Sequence, residues 1–223
     1  MKLIKTKIDN VFWLIRGKKY LVTKNLSPGF SVYGEKLFRY KGKEYRQWIP
    51  QRSKLAAAIY KKFEPIPLKE GYKVLYLGAA SGTTMSHVSD IVGKSGKVWG
   101  VDIAPRVLRD LIFVCERKKN MYPILADASL PETYSNIVPK VDFIYEDVAA
   151  PNQIDIFIKN CDMYLKKGKY AMIAIKARSI DVTSPPKEIF ERAKKEIGEF
   201  YNIINSKRLE PYHKDHIMIL VKK

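Results

Sequence analysis

Four apolar runs of this chain end in a group that can bind a ligand or move a proton: Gly100-Val101-Asp102, Leu125-Ala126-Asp127, Tyr145-Glu146-Asp147 and Ala174-Ile175-Lys176. An acid at a strand tip, as at Asp102, can accept both ribose hydroxyls of a nucleoside. Asp127 can accept an adenine amino group while the Ala128 N–H serves a ring nitrogen. A fifth run, ending at Leu77, leads into Gly78-Ala79-Ala80-Ser81-Gly82-Thr83-Thr84. Small residues there let backbone pass close to a ligand, and a helix starting at Thr83 presents free N–H groups that suit a carboxylate or phosphate. Each feature alone is also what a helix cap or a tight turn would show; three of them at successive strand tips describe a nucleoside site. The spacing Gly78-x-x-x-Gly82 is not the dinucleotide fingerprint. A methionine carboxylate at the helix start, with adenosine read by Asp102 and Asp127, makes S-adenosylmethionine the better fit. Asp147 and Lys176, on adjacent tips, add an acid and an amine beside that ligand.

These tips need strands to carry them. From Tyr72 the pattern alternates: strands are expected at Lys73–Leu77, Lys97–Asp102, Tyr122–Asp127, Val141–Glu146 and Lys169–Lys176, and helices at Thr83–Val92, Pro105–Lys118, Gln153–Leu165 and Pro186–Ile197. Pro105 and Pro186 suit first helical positions, where a missing N–H costs little. Runs apolar at nearly every residue, such as Phe143-Ile144-Tyr145, imply a parallel sheet covered on both faces. Ile203–Leu209 and His216–Val221, joined by a short connection, are expected to pair antiparallel. Residues 1–50 read differently, as short strands broken by turns, with a hairpin at Arg16-Gly17-Lys18-Lys19. Helical spacing over Arg52–Phe63, with Ser53 as N-cap, follows. The expected fold class is α/β: a mostly parallel Rossmann-like sheet with a C-terminal antiparallel pair, preceded by a small N-terminal β-domain. The partition is 1–52 for a small basic β-domain and 53–223 for the cofactor-binding domain.

The charge points to a partner. Of 223 residues, 41 are Lys or Arg and 23 Asp or Glu, a net +18. Residues 1–55 hold 14 basic and 3 acidic residues, so a quarter of the chain carries over half the excess. Such a surface suits a polyanion. The aromatics interleaved there, among them Trp13, Tyr33 and Trp48, can touch RNA bases or fill the core of a small sheet. No apolar run approaches the ~20 residues of a membrane span, and no signal-peptide pattern heads the chain, so a cytoplasmic protein is expected. Cys115 and Cys161 have no metal or disulfide spacing; no metal is expected.

The run VLYLGAASGTTMSHVSDIVG at 74–93 closely resembles motif I of the fibrillarin family. The resemblance extends in order to YRQWIPQRSKLAAAI at 45–59, YEDVAAPNQ at 145–153, IKARSID at 175–181 and EPYHKDHIMIL at 210–220, covering almost the whole chain. It implies a class I methyltransferase fold and methylation of ribose 2′-hydroxyls of rRNA, and of tRNA, within a box C/D guide-RNA particle. The implied partners are the guide RNA, its target, a Nop-domain scaffold protein and a kink-turn-binding ribosomal-type protein. The Gly/Arg-rich tail of eukaryotic members is missing, so the chain looks archaeal. By resemblance, Thr83, Thr84, Asp102, Ile103, Asp127, Ala128 and Asp147, Val148, Ala149 and Ala150 line the cofactor pocket, joining Gly78 and Ala79 of the small-residue turn. Two positions depart from the pattern. Asp102 stands where Glu is usual, and Ala150 replaces Gln, which leaves Gln153 as a candidate for that cofactor-facing role.

The resemblance also adds Lys54 and His216 to Asp147 and Lys176 as a catalytic set. A ribose hydroxyl is a weak acid, so a base must take its proton. Lys176 is expected to do so, its proton affinity lowered by partial burial and by Lys54 nearby. Asp147 is expected to orient Lys176, Lys54 to grip a phosphate, and His216 to help through a hydrogen bond. His87 and His213 are read as structural. A non-catalytic RNA-binding assembly subunit with a relic fold is the rival reading; the intact Asp147 and Lys176 oppose it. A small-molecule methyltransferase is opposed by the charge, and an NAD enzyme by the glycine spacing.

Overall fold

The computed structural model describes residues 1–223. Five strands form an N-terminal antiparallel sheet: β1 (Lys2–Lys5), β2 (Val11–Arg16), β3 (Lys18–Lys24), β4 (Leu37–Tyr40) and β5 (Lys43–Gln47), in the order β1-β2-β3-β5-β4. The β2–β3 hairpin turns on Gly17 alone, at φ +66°, which a residue with a side chain resists. Helix α1 (Lys54–Tyr60) follows. It is shorter than its periodicity suggests. Its first turn is set by the Ser53 hydroxyl accepting the Ala56 N–H, and Lys62, at φ +56°, has left helical space.

The second sheet has seven strands: β6 (Lys73–Leu77), β7 (Lys97–Asp102), β8 (Met121–Leu125), β9 (Val141–Glu146), β10 (Leu165–Lys176), β11 (Asn202–Arg208) and β12 (His216–Lys222). Their order is β11-β12-β10-β9-β6-β7-β8. Strands β10, β9, β6, β7 and β8 run parallel, and β12 is antiparallel to both β10 and β11. The helices between them are α2 (Thr83–Val92), α3 (Pro105–Arg117), α4 (Gln153–Tyr164), α5 (Ala177–Ile180) and α6 (Pro186–Gly198). Strand β10 begins four residues before the expected Lys169, directly at the end of α4, and its pairing with β9 shifts register between Leu165 and Tyr170.

Alternation along the strands divides two cores. Tyr76, Tyr145, Met172, Ala174, Met218 and Leu220 face α1 and α2, while Leu77, Ile144, Ile173, Ile175, Ile219 and Val221 face α4 and α6. Ile8, Val11, Leu21 and Trp48 of the N-terminal part belong to the first of these cores, alongside Val74 and Met85. The N-terminal sheet keeps only Leu14, Val22, Phe38 and Tyr45 to itself. A sheet this small cannot bury enough apolar surface alone, so it completes its core against its neighbour.

A fully buried polar network fixes that docking. Arg46 of β5 donates to Glu35 at 2.6 Å and to Asp90 of α2 at 3.0 Å, and to the Ser86 hydroxyl at 2.9 Å. Lys118 donates to the other Asp90 oxygen at 2.5 Å, and the Thr23 hydroxyl to Asp90 at 2.8 Å. Two cations meet two anions out of water, every one hydrogen-bonded. His87 stacks on Trp48 with ring centroids 4.9 Å apart and bonds Thr23 through Nδ1. Burial, then Arg46 and Lys118, push its pKa well below the usual value, so it stays neutral.

Candidate active site

Strand register places the chemistry. Tyr76 lies opposite Tyr145 across β6–β9, and Lys176 opposite His216 across β10–β12. Two-residue steps from Tyr145 and from Ala174 put Asp147, Lys176 and His216 on the same side of the sheet as Tyr76, the side α1 covers. Lys54 opens α1 and reaches Asp147, Nζ to Oδ1 at 2.5 Å, with side chains 22% and 16% exposed. Burial raises the Asp147 carboxyl above its ordinary pKa, and the Lys54 charge opposes that rise.

This pairing corrects one expectation. Asp147 holds Lys54, 93 residues away in sequence, rather than Lys176. Lys176 itself is exposed, so the partial burial expected for it is not supplied by this chain. The spacing of strand tips shows that two residues are neighbours but not which amine bends toward the acid. His216 is buried, its Nδ1 2.5 Å from the Lys214 carbonyl. Its pKa is lowered to about 4, first by burial and then by Lys54, His213 and Lys176, so both lysines act on this ring.

Two further residues belong to the neighbourhood. His213 bonds the Pro50 carbonyl through Nε2 at 2.8 Å, and its ring lies 5.7 Å from that of His216. It thereby ties the β11–β12 connection to the turn that precedes Ser53 and Lys54, and Asp147 and Lys54 both act on its charge. Tyr76, fully enclosed, feels the Asp147 charge and the Thr84 hydroxyl, and burial raises its pKa far above the usual phenol value. The period-two position of Tyr76 carries this information; His213 sits in a connection whose path no periodicity describes.

On the neighbouring tips, the Gly78–Thr84 turn folds back on itself. Gly78 and Ala79 both donate to the Val101 carbonyl, and Asp147 donates to the Leu77 carbonyl at 2.9 Å. A Cβ on Gly78 (φ +78°) would lie 2.6 Å from the Asp147 carbonyl oxygen, so this glycine makes room for the β9 tip. Asp102 accepts the Ala80 N–H at 2.7 Å and the Ala104 N–H at 3.0 Å, which aims the carboxylate along the sheet edge. Asp127 accepts the Ser129 N–H at 2.8 Å through one oxygen. Ile103, next to Asp102, is 64% exposed, an apolar face at a polar tip.

The remaining expected pocket residues divide. Gly78, Thr83, Val148, Ala149 and Ala150 retain solvent access, as Asp102, Ile103, Asp127 and Asp147 do. Ala79, Thr84 and Ala128 are buried and can offer only backbone; the Thr84 hydroxyl donates to Ser53 at 3.0 Å, and the Ala128 carbonyl accepts from Asn160. Gln153 does not take the cofactor-facing role expected of it. It is fully buried, its amide donating to the Ala150 carbonyl and accepting the Lys176 N–H, so it clamps the β9–α4 loop to the tip of β10.

S-adenosylmethionine fits this edge on two observations. The α2 N-terminus begins at Gly82 with no side chain capping it, leaving N–H donors for a carboxylate. Asp102 and Asp127 each keep acceptor capacity beyond their backbone bonds, one tip apart.

A parallel sheet with one reversed strand, β12, inserted between β10 and β11, and with acids on successive tips, defines the class I methyltransferases. The comparisons narrow this further. The chain matches the family described as Fibrillarin over residues 3–223. It is 51% identical to the fibrillarin-like rRNA/tRNA 2′-O-methyltransferase of Pyrococcus abyssi over 98% of this chain and 97% of that one. It superposes on Aeropyrum pernix fibrillarin, solved with natively bound S-adenosyl-L-methionine, with a TM-score of 0.92 at 46% identity, covering 99% and 98% of the two chains. A fibrillarin/Nop5p complex gives 0.90 at 43% identity, covering 98% of this chain and 100% of that one. The chain belongs to the fibrillarin family.

Proposed function

We propose that this chain transfers a methyl group from S-adenosylmethionine to ribose 2′-hydroxyls of rRNA, and of tRNA, as the catalytic subunit of a box C/D guide-RNA particle. The observation that carries the reading is the Lys54–Asp147 pair on the open edge of the sheet, between the nucleoside-reading tips and Lys176. The Pyrococcus abyssi relative is an rRNA/tRNA 2′-O-methyltransferase, one neighbour binds the cofactor and another assembles with Nop5p. A scaffold of the Nop type, a guide RNA and a kink-turn-binding protein complete the proposed particle. The chain's net charge of +18 suits it to an RNA assembly.

Asp102 and Asp127 hold the nucleoside, Ile103 covers its base, and the α2 N-terminus takes the carboxylate of its amino-acid end. When bound, S-adenosylmethionine supplies an electrophilic methyl carbon. The chain supplies position and proton removal. Asp147, paired with Lys54, accepts a hydrogen bond from the incoming hydroxyl and orients it. The proton passes to the Lys176 amine, which must be neutral to take it. Water opposes neutrality, so RNA laid across the exposed Lys176 has to exclude it. His216, neutral near pH 7, packs beside that amine without adding a charge.

Lys176→Ala in the reconstituted particle tests the assignment. Methylation of a guided target is expected to fall at least ~100-fold, the scale of a lost general base, while S-adenosylmethionine binding by calorimetry stays within about twofold of wild type. Parallel loss of both would show that Lys176 holds the cofactor instead.

A further inference from the structure

A cleft of about 950 Å³ opens on the protein at the far end of α1 from Lys54. Its walls are the β1–β2 connection, the faces of β2 and β3, the last turn of α1 and residues 62–69. Ile8, Phe63 and Leu68 are buried beneath it. Five exposed lysines rim it, Lys5, Lys7, Lys19, Lys62 and Lys69, against two acids, Asp9 and Glu64. Both acids are engaged: Glu64 pairs with Lys7 at 2.5 Å, and Asp9 accepts the Glu70 N–H. Four amines therefore face the opening without an acid partner. Within the cleft lies the half-buried indole of Trp13, edge-on to Tyr60 at 4.9 Å, with the Lys19 amine 4.2 Å from its ring centroid.

We propose that this cleft binds single-stranded RNA, as a groove separate from the methylation site and in line with it. The inference rests on the reading that RNA is the substrate class. The Lys19 amine lies over the indole, so an unpaired nucleotide that stacks its base there takes that place and draws the displaced amine, with Lys5, Lys62 and Lys69, to its phosphates. A duplex cannot use it, because its bases are already stacked on one another. The seven residues of α1, at about 1.5 Å each, set Tyr60 roughly 9 Å from Lys54, so one helix joins the groove to the catalytic pair. A strand lying in the groove passes within a few nucleotides of the reacting hydroxyl. The groove is thus placed to hold RNA that flanks the target, independent of its sequence.

The test uses the full chain and a uridine 12-mer bearing 4-thiouridine. Binding is followed by anisotropy across salt concentrations for wild type, Lys19→Glu/Lys62→Glu and Trp13→Leu. The charge-reversed protein is expected to bind at least tenfold more weakly, with a salt slope shallower by about 1.4, two phosphate contacts on a single strand. Trp13→Leu is expected to lose about fivefold or more. Both are expected to bind S-adenosylmethionine like wild type. Irradiated wild type is expected to crosslink within residues 5–19 or 59–69, a readout that needs no variant to fold. Unchanged affinity and slope in both variants would overturn the proposal, as would crosslinks confined to other segments. So would charge reversal that abolishes binding of poly-glutamate while sparing RNA, since the groove would then serve an acidic protein. Wild type that binds the 12-mer here but not S-adenosylmethionine would sink the enzymatic reading and leave the groove standing.

Discussion

The residue next to Asp147 shows what the tip of β9 costs. Glu146 is fully buried, pointing toward α4, and neither carboxyl oxygen has a hydrogen-bond partner. Burial first, then the Asp147 charge, raises its pKa well above the usual value, so it enters the fold protonated. The folded chain then binds a proton that the unfolded chain releases near pH 4.5. The Glu146 contribution to stability is largest below that pH and falls as pH rises toward the folded value, by about 1.4 kcal/mol per unit. Glu146→Gln is expected to remove this slope. Urea unfolding at pH 5 and pH 8 would show the variant gaining on wild type at the higher pH; equal losses in both would mean that Glu146 is ionised in the fold. At this scale the sequence was half legible. Asp102, Asp127, Asp147 and Lys176 stand on strand tips because an apolar run stops at each of them. The partner of Asp147, the clamp made by Gln153 and the neutrality of Glu146 depend on which way side chains turn in three dimensions.

Elements were more legible than side chains. The strands from β6 to β9 and the helix starts at Thr83, Pro105, Gln153 and Pro186 follow from apolar runs, small-residue turns and prolines. β1, β4 and α5, at four residues each, are too short for periodicity to register. Helix α1 shows what an element contributes to the site. Ser53 caps it, accepting from the Ala56 N–H, from the Trp48 indole at 3.0 Å and from the Thr84 hydroxyl at 3.0 Å. One hydroxyl thus joins the N-terminal sheet, α1 and α2 immediately before Lys54. Ser53→Ala is expected to cost about 2 kcal/mol, the cap plus two stranded donors, in chemical denaturation. Methylation is expected to fall further than that stability loss explains, because Lys54 loses its anchor. Full activity in a destabilised variant would separate the cap from the chemistry.

For the whole molecule, the docking of the two sheets was the least legible feature. Glu35, Arg46, Asp90 and Lys118 look in sequence like ordinary surface charges, and nothing in their spacing shows that they meet out of water. Arg46→Met tests their joint role. It leaves Glu35 without its cation and Asp90 with Lys118 alone, and is expected to cost roughly 3–5 kcal/mol, visible as a drop in Tm. A loss under about 1 kcal/mol would mean that water reaches the network and solvates the acids.

The same docking decides when the catalyst comes into being. Lys54 lies in the stretch between the sheets, and its acid lies 93 residues further on, at the end of the fourth parallel strand. A chain leaving the ribosome displays its basic amino-terminal strands, and Lys54 with them, well before residue 147 has been made. An incomplete polypeptide therefore has no partner for that amine. Methyl transfer is withheld until synthesis has passed Asp147 and Lys176, and the order of residues along the chain acts as its safety catch.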